Sequence, residues 1–205
     1  KHEGKWRRTL LGTVPLSLPF VKSGGLAAVR TEPTQIVADH LAQALAILTD
    51  GMSAQADTSL ALSNPSLIAG AHMGLVCPWV HVSAATLRQC IPTIETGFAT
   101  DLPLRDLSLS PLLTPGLGLS LNAGAIPGAA ITFELTGNTV SAHIDDARIA
   151  PDLAHVLIRR IRWIADQLSD GKVPEAIDTL PPGERCDVLE AHNSTVHGID
   201  GPATM

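Results

Sequence analysis

One segment near the end of the chain limits the possible folds more than any other: residues 150–171, with the sequence APDLAHVLIRRIRWIADQLSDG. Apolar side chains recur there at the spacing of one helix face, namely Leu153, Val156, Leu157, Ile161, Ile164 and Leu168. Pro151 suits the first helical position, Asp152 suits the positive end of the helix dipole, and Gly171 suits the stop. The segment is predicted to be a long amphipathic helix, whose apolar face must be buried against a second layer of structure.

Strand patterns precede this helix. Residues 117–123 (LGLSLNA) and 129–145 (AAITFELTGNTVSAHID) alternate apolar and polar side chains with a period of two, and Gly137-Asn138 suits a two-residue hairpin turn. We therefore predict three consecutive antiparallel strands. With the helix covering one face of these strands, the fold class is α/β.

The upstream part of the chain mixes helix, strand and loop patterns. Residues 34–49 predict an amphipathic helix that stops at Asp50-Gly51, and residues 53–74 predict a less regular helix before Asn64. Residues 75–82 predict a short strand, which Pro78 restricts to an edge or interrupted position. Ser83 is predicted to cap a helix that Pro92 would kink. Residues 4–25 and 101–116, punctuated by proline and glycine, predict a connector and a loop.

Composition excludes several classes of function. The chain has 205 residues, 45% of them hydrophobic, and a formal net charge of -6 with only 14 Lys and Arg, which argues against nucleic acid as a partner. The basic run at residues 159–162 is predicted to be the solvated face of a helix. No apolar run has the roughly 18 residues needed to cross a bilayer, and residues 1–12 lack the long apolar segment of a signal peptide, so we expect no membrane partner and a cytoplasmic location. Three cysteines without a C-x-x-C spacing suggest neither disulfides nor zinc.

The histidines offer candidate sites for chemistry. His197 to Gly201 reads HGIDG, but its flanking glycine and proline indicate a linker rather than a catalytic motif. His143 with Asp145 and Asp146 could bind a metal, although the two aspartates fit better as the turn and cap before the long helix. His40 and His155 are predicted to be packing or surface residues, and His72 and His81 have no acidic residue nearby in the sequence. A nucleophilic role for Cys90 would need a histidine close in space.

The C-terminal part carries a family resemblance. Residues 173–195 read VPEAIDTLPPGERCDVLEAHNST. This phrase resembles the end of the condensation domain of nonribosomal peptide synthetases, where I-x-x-L, a turn, E-R, an apolar pair and N-x-T lead to an adenylation domain. The matching residues here are Ile177, Leu180, Glu184, Arg185, Val188, Leu189, Asn193 and Thr195, with His192 where tryptophan is common. Weaker matches lie upstream at Trp6, Leu10, Gly12, Pro15, Leu87, Pro103 and Leu107.

The resemblance implies an architecture and a set of partners. It implies a single chloramphenicol-acetyltransferase-like lobe, with a mixed or antiparallel sheet and helices packed on it, corresponding to the C-terminal lobe of the family domain. The expected organisation is a connector at 1–25, the lobe at 26–178 and a linker toward an adenylation domain at 179–205. The linker and interface residues would be Glu184, Arg185, Leu189, Asn193 and Thr195. The chain itself would bind no cofactor, but a carrier protein bearing phosphopantetheine, or a tailoring enzyme, would be a partner.

The departures from the family pattern leave three functions open. The sequence has no adjacent histidine pair, so the H-H-x-x-x-D-G motif is missing, as is a D-F-G-W-G-type latch. The first hypothesis is therefore a truncated, non-catalytic scaffold or interaction domain in a peptide synthetase. The alternative is the C-terminal lobe of an active condensation domain that joins carrier-bound thioesters as amides. A free-standing acyltransferase using His197 or His143 is the third. A lone lobe would expose apolar surface, so self-association is also expected.

Overall fold

Seven strands form one mixed β-sheet in the computed structural model, which describes residues 14–16, 18, 20–22, 29–53, 58–64, 80–84 and 116–187. The strands are β1 Val14–Pro15, β2 Val29–Pro33, β3 Thr58–Ser63, β4 Val80–Ser83, β5 Leu117–Leu121, β6 Ile131–Thr136 and β7 Thr139–Asp145. The sheet order is β1-β3-β5-β6-β7-β2, and β4 also pairs with β3. The predicted α/β class is confirmed, and of the two sheet types expected, the mixed one is observed.

The strand pairing corrects one prediction. The β6–β7 pair is antiparallel around the expected turn, where Gly137 has a φ of 57°, but β5 and β6 run parallel, with Leu117 opposite Ile131. Residues 122–130, here called the return segment, carry the chain back across the sheet between these two strands. Parallel neighbours usually need a longer, helical crossover, so the short spacing wrongly indicated a hairpin.

A central strand replaces the irregular helix predicted before Asn64. All residues of β3 are buried, because it pairs with β1 and β5 in parallel and with β4 in antiparallel orientation. Leu60 and Leu62 face the main core, while Ala61 belongs to a small second cluster. A strand covered on both faces loses the one-sided polarity that identifies strands from sequence, which explains the wrong prediction.

Two helices of the described part of the chain pack on one face of the sheet. They are α1 Leu41–Met52, preceded by a 3-10 turn at Ala38–His40, and α2 Pro151–Ser169. The helix predicted at 34–49 begins later because Thr34 continues the pairing of β2 with β7: its amide and its hydroxyl both bond to the Val140 carbonyl, at 3.0 and 2.7 Å. It also runs through Asp50-Gly51 to Met52.

The long helix is confirmed, with two changes in its predicted buried face. Leu157, Ile161, Ile164 and Leu168 are buried as predicted, but Val156 is only partly buried, and Leu153 is exposed while Ala154 is buried. Gly171 ends the helix with a φ of 82°, in the left-handed conformation typical of this position.

The sheet therefore has two different faces. Its apolar face, with Leu60, Leu62, Leu117, Leu119, Ile131, Phe133, Val140 and Ile144, packs against the helices as the main core. The opposite face carries Ser120, Thr132, Glu134, His143 and Asp145, over which the return segment lays Ile126. No helix in the described part of the chain is long and apolar enough to cross a membrane. The features predicted for residues 1–13, 65–79, 85–115 and 188–205 lie outside the described residues.

Candidate functional site

A short C-terminal helix, α3 Pro182–Cys186, is attached to the outer face of α2 by ion pairs. The Glu184 carboxylate accepts hydrogen bonds from Arg159 Nε at 2.9 Å and from Arg160 Nε at 2.6 Å. Partial burial works to raise the pKa of the Glu184 carboxyl, but the hydrogen bonds and charges of Arg160 and Arg159 outweigh it and hold that pKa below its ordinary value. Residues 159–162 were predicted to be the solvated face of a helix. Among the three arginines of this run, only Arg162 does not contact Glu184; its Nε lies 3.8 Å from Asp166 Oδ2.

A buried glutamine holds the chain just before α3. Gln167 is 2% exposed, and its side-chain amide donates to the Asp178 carbonyl at 2.8 Å and accepts from the Asp178 amide at 3.2 Å. Such a pair of bonds satisfies both polar groups of one residue's backbone. Gln167 thereby fixes the position at which the predicted linker begins.

The Asp178 side chain extends this attachment to α3. Its carboxylate accepts from the Leu180 amide at 3.1 Å and from Arg185 Nη1 at 2.7 Å. The Leu180 bond is the main cause that lowers the pKa of Asp178, with Arg185 adding to it against partial burial. We call the group Arg159, Arg160, Gln167, Asp178, Glu184 and Arg185 the C-terminal clasp.

The clasp contains two of the five predicted interface residues. Glu184 contacts α2 and Arg185 contacts Asp178, whereas Leu189, Asn193 and Thr195 lie outside the described residues. Sequence reasoning missed Gln167 and Asp178. A glutamine between the buried residues Ile164 and Leu168 was the available signal, because a buried amide needs hydrogen-bond partners.

A second constellation lies on the polar face of the sheet. Thr31 of β2 and Thr132 of β6 flank His143 of β7 in register. Thr31 Oγ1 lies 2.9 Å from His143 Nδ1, and Glu134 Oε2 lies 2.8 Å from His143 Nε2. The other oxygen of Glu134 accepts from the Gly124 amide at 2.7 Å, which fixes the carboxylate from the return segment. A hydroxyl, an imidazole and a carboxylate therefore form a continuous chain of hydrogen bonds across three strands.

A cavity of about 110 Å³ adjoins His143. Its walls combine Val29 of β2 and residues 125–129 of the return segment with Thr132, His143 and Asp145. Thr132 Oγ1 accepts from the Ile126 amide at 3.1 Å, which holds the return segment over the sheet. The cavity is thus small, mainly apolar, and bounded on one side by the imidazole.

The aspartates after β7 have separate structural roles. The Asp145 carboxylate accepts from the Ala147 amide at 3.1 Å and so forms the predicted turn, while Asp146 binds Arg30 at 3.1 Å. The predicted helix cap is wrong, because Ala150 occupies that position and no side chain caps the helix. Among the residues that the structure describes, no three metal-ligating side chains form a cluster.

A buried arginine, missed in the sequence, ties the N-terminal connector to this turn. Arg148 is 4% exposed; its Nε donates to the Lys22 carbonyl at 3.3 Å, and its own carbonyl accepts from the Lys22 amide at 2.8 Å. Burial lowers the pKa of Arg148, and the charge of Asp145 works against this effect. The contact positions residues 20–22 beside the end of β7.

The two histidines on the helical side are packing or surface residues, as predicted. His155 is exposed on α2 and lies 3.2 Å from the Glu32 carboxylate, and Glu32 also pairs with Arg30. His40 is partly buried and precedes α1. Neither residue belongs to the constellation around His143.

Comparison with known proteins identifies the fold. No protein-family model matches the chain, and no curated protein matches its sequence. Solved structures resemble it, including the starter condensation domain of rhizomide synthetase RzmA in complex with C8-CoA, with a TM-score of 0.58 and 14% identity over 87% of this chain and 54% of that one. The X-domain in complex with OxyB from teicoplanin biosynthesis gives a TM-score of 0.55 and 16% identity over 88% and 55%. The EpoB NRPS cyclization-docking bidomain from Sorangium cellulosum gives 0.53 and 10% over 81% and 47%.

These likenesses confirm the predicted architecture. The chain has a condensation-like α/β fold, the fold that these starter condensation and X-domains share. It spans about half the length of the solved chains that it matches.

Proposed function

We propose that this chain, as a condensation-like lobe, is a non-catalytic structural and interaction domain of a nonribosomal peptide synthetase. It corresponds to the C-terminal lobe of the family domain and leads through residues 179–205 to an adenylation domain. The observation that carries the proposal is the C-terminal clasp. Gln167 and Glu184 hold the start of the linker-like segment against α2 at the position where the sequence resemblance places the domain boundary.

The clasp suits a linker that sets the orientation of a neighbouring domain. A free linker would leave the next domain at a variable distance, whereas a segment held at Asp178, Glu184 and Arg185 leaves the lobe from one fixed position. Because α3 lies on α2, a following adenylation domain would be placed beside the helical side of the lobe rather than beside the polar face of the sheet.

The lack of amide-forming activity is proposed from the sequence. The sequence lacks the paired histidines of the family. The lobe would therefore bind partners rather than join two carrier-bound substrates. A carrier protein with its phosphopantetheine arm is one such partner, and the arm would belong to the carrier.

A tailoring enzyme is the other proposed partner. One of the solved structures with this fold is an X-domain in complex with OxyB, and this complex supports the proposal that a second protein docks on the lobe. We place the protein in the cytoplasm, where peptide synthetases operate.

Mixing the chain with two loaded aminoacyl carrier proteins tests the proposal. We expect no dipeptidyl thioester, and we expect the open reading frame after Met205 to encode an adenylation domain. Glu184→Gln should loosen the clasp and increase proteolytic cleavage between residues 179 and 187, whereas Glu175→Gln, at an exposed position nearby, should not. Dipeptide formation, or equal cleavage of both variants, would contradict the proposal.

The alternative is that the chain forms the C-terminal half of an active condensation domain. The match to only about half of each solved chain favours it. A segment upstream in the same gene, or on a partner chain, would then carry H-H-x-x-x-D-G. Amide formation that appears only when such a segment is added would support the alternative over the scaffold.

A further inference from the structure

The hydrogen bonds around His143 determine which ring nitrogen carries the proton. Glu134 can only accept when ionised, so His143 Nε2, 2.8 Å away, is the protonated nitrogen in the neutral ring. The Nδ1 lone pair then accepts the hydroxyl proton of Thr31 at 2.9 Å. A hydroxyl that donates to a neutral imidazole, itself oriented by a carboxylate, is the arrangement that activates a hydroxyl nucleophile.

The three hydrogen-bonded residues Thr31, His143 and Glu134 differ in their exposure to solvent. Thr31 is exposed on β2 at the end of the sheet order, while the His143 and Glu134 side chains are only 11% and 18% exposed. A reagent can therefore reach the hydroxyl while the base and its orienting carboxylate remain held in place. Neither the family resemblance nor the proposed role in a synthetase assigns these residues a function.

The adjoining cavity limits the size of the group that could react. A cavity of roughly 150 Å³ holds one benzene ring, so about 110 Å³ has room for a short acyl group such as acetyl. Val29, two residues before Thr31 on the same face of β2, lines this cavity together with His143. His143 thus contacts Thr31 and also lines the cavity, although Thr31 itself is not one of the lining residues.

We propose that Thr31 is an acyl-accepting nucleophile for short-chain thioesters, with His143 as its general base and Glu134 as a positioning residue. The Thr31 oxygen attacks the thioester carbonyl while its proton passes to His143 Nδ1. The carbon–sulfur bond breaks, and the departing thiolate takes that proton and leaves as a thiol, so the chain holds an ester at Thr31. Water then hydrolyses the ester with His143 again taking and returning one proton. The proposal does not depend on the role in a peptide synthetase.

Acetylation by phenyl thioacetate tests the proposal on the full chain. After acid quenching, the acetyl group should lie on Thr31, and Thr31 should react about 100-fold faster than Thr139, an exposed threonine on β7. Thr31→Val should abolish this product, Thr31→Ser should retain it, and Thr139→Val should leave it unchanged. Equal labelling of Thr31 and Thr139, or thiol release that persists in Thr31→Val, would overturn the proposal.

Substitution of Glu134 distinguishes an effect on Thr31 acetylation from an effect on the stability of the fold. In Glu134→Gln, the amide oxygen can still accept from the Gly124 amide, while its NH₂ group faces His143 Nε2 and favours the tautomer protonated at Nδ1. We expect an unchanged thermal transition, a changed ¹⁵N signature of the imidazole and a loss of Thr31 acetylation of about 100-fold. His143→Gln should cause the same loss. A folded Glu134→Gln variant that acetylates at the wild-type rate would overturn the assignment of the base.

Discussion

Gln167 is the single side chain on which the attachment of the C-terminal segment depends most. Gln167→Leu keeps the volume of the side chain but leaves the Asp178 amide and carbonyl without their partner. Losing partly buried hydrogen bonds of this kind costs about 2 kcal/mol. Chemical denaturation should show that loss, while Gln43→Leu on α1 should change the free energy of unfolding by less than about 0.5 kcal/mol. Equal effects of the two substitutions would contradict the role given to Gln167.

Single residues were also where sequence reasoning was least complete. It singled out His143 and Glu184, but it could not find Thr31 or Glu134, which lie 112 and 9 positions from His143 along the chain. Only the register of β2 against β7 brings Thr31 to the imidazole. Arg148 was missed for the same reason, because the Lys22 carbonyl that it binds lies at the other end of the chain.

At the scale of elements, the contact of the return segment with β5 gives a testable consequence. A Cβ atom added at Gly118 would lie 2.7 Å from Ile126 Cδ1, so Gly118→Ala forces a buried side chain to move. We expect a destabilisation of about 1–2 kcal/mol. Ile126→Val removes that methyl group, so in the double variant the Gly118→Ala substitution should cost less than it does alone. Additive effects in the double-mutant cycle would argue against this contact.

The short helix α3 should detach in acid. Glu184 and Asp178 have pKa values lowered by folding, so their contribution is present at neutral pH and is lost as the pH falls through these lowered values, below the ordinary carboxyl range of about 4. Glu184→Gln should lower the free energy of unfolding by about 1 kcal/mol at pH 7. The difference from wild type should shrink toward pH 3, as measured by denaturation at several pH values. A difference that is constant with pH would contradict the ion pairs.

Helices and strands with one buried face could be predicted from the sequence, whereas the central strand β3 and the parallel pairing of β5 with β6 could not. The periodicity of α2, α1 and the β6–β7 hairpin reflects one apolar and one polar side, so their existence follows from the sequence. The strand β3 is buried on both faces, and the parallel pairing of β5 with β6 depends on a return segment that no local pattern specifies. Thr34, predicted to begin α1, instead bonds to Val140, which is distant in sequence.

For the whole molecule, self-association remains a prediction. The large apolar side chains exposed among the described residues, Val29, Leu153 and Val173, belong to three different parts of the chain. If the lone lobe self-associates, light scattering should show a molecular mass of the protein that increases with its concentration. A single monomeric mass at high concentration would contradict the expectation.

The proposed division between lobe and linker can be tested by shortening the chain. Among the described residues, the main core includes partly buried Ile177 but none from 179 to 187, so a chain that ends at Asp178 retains all of the core residues that the structure describes. It loses Glu184 and Arg185, and we expect a cooperative unfolding transition whose free energy is about 1–2 kcal/mol lower. A chain that ends at Asp187 keeps the whole clasp and should match the stability of the full chain. If the chain ending at Asp178 gave no cooperative transition, the segment after 178 would be part of the lobe itself, and the boundary that the linker proposal requires would be wrong.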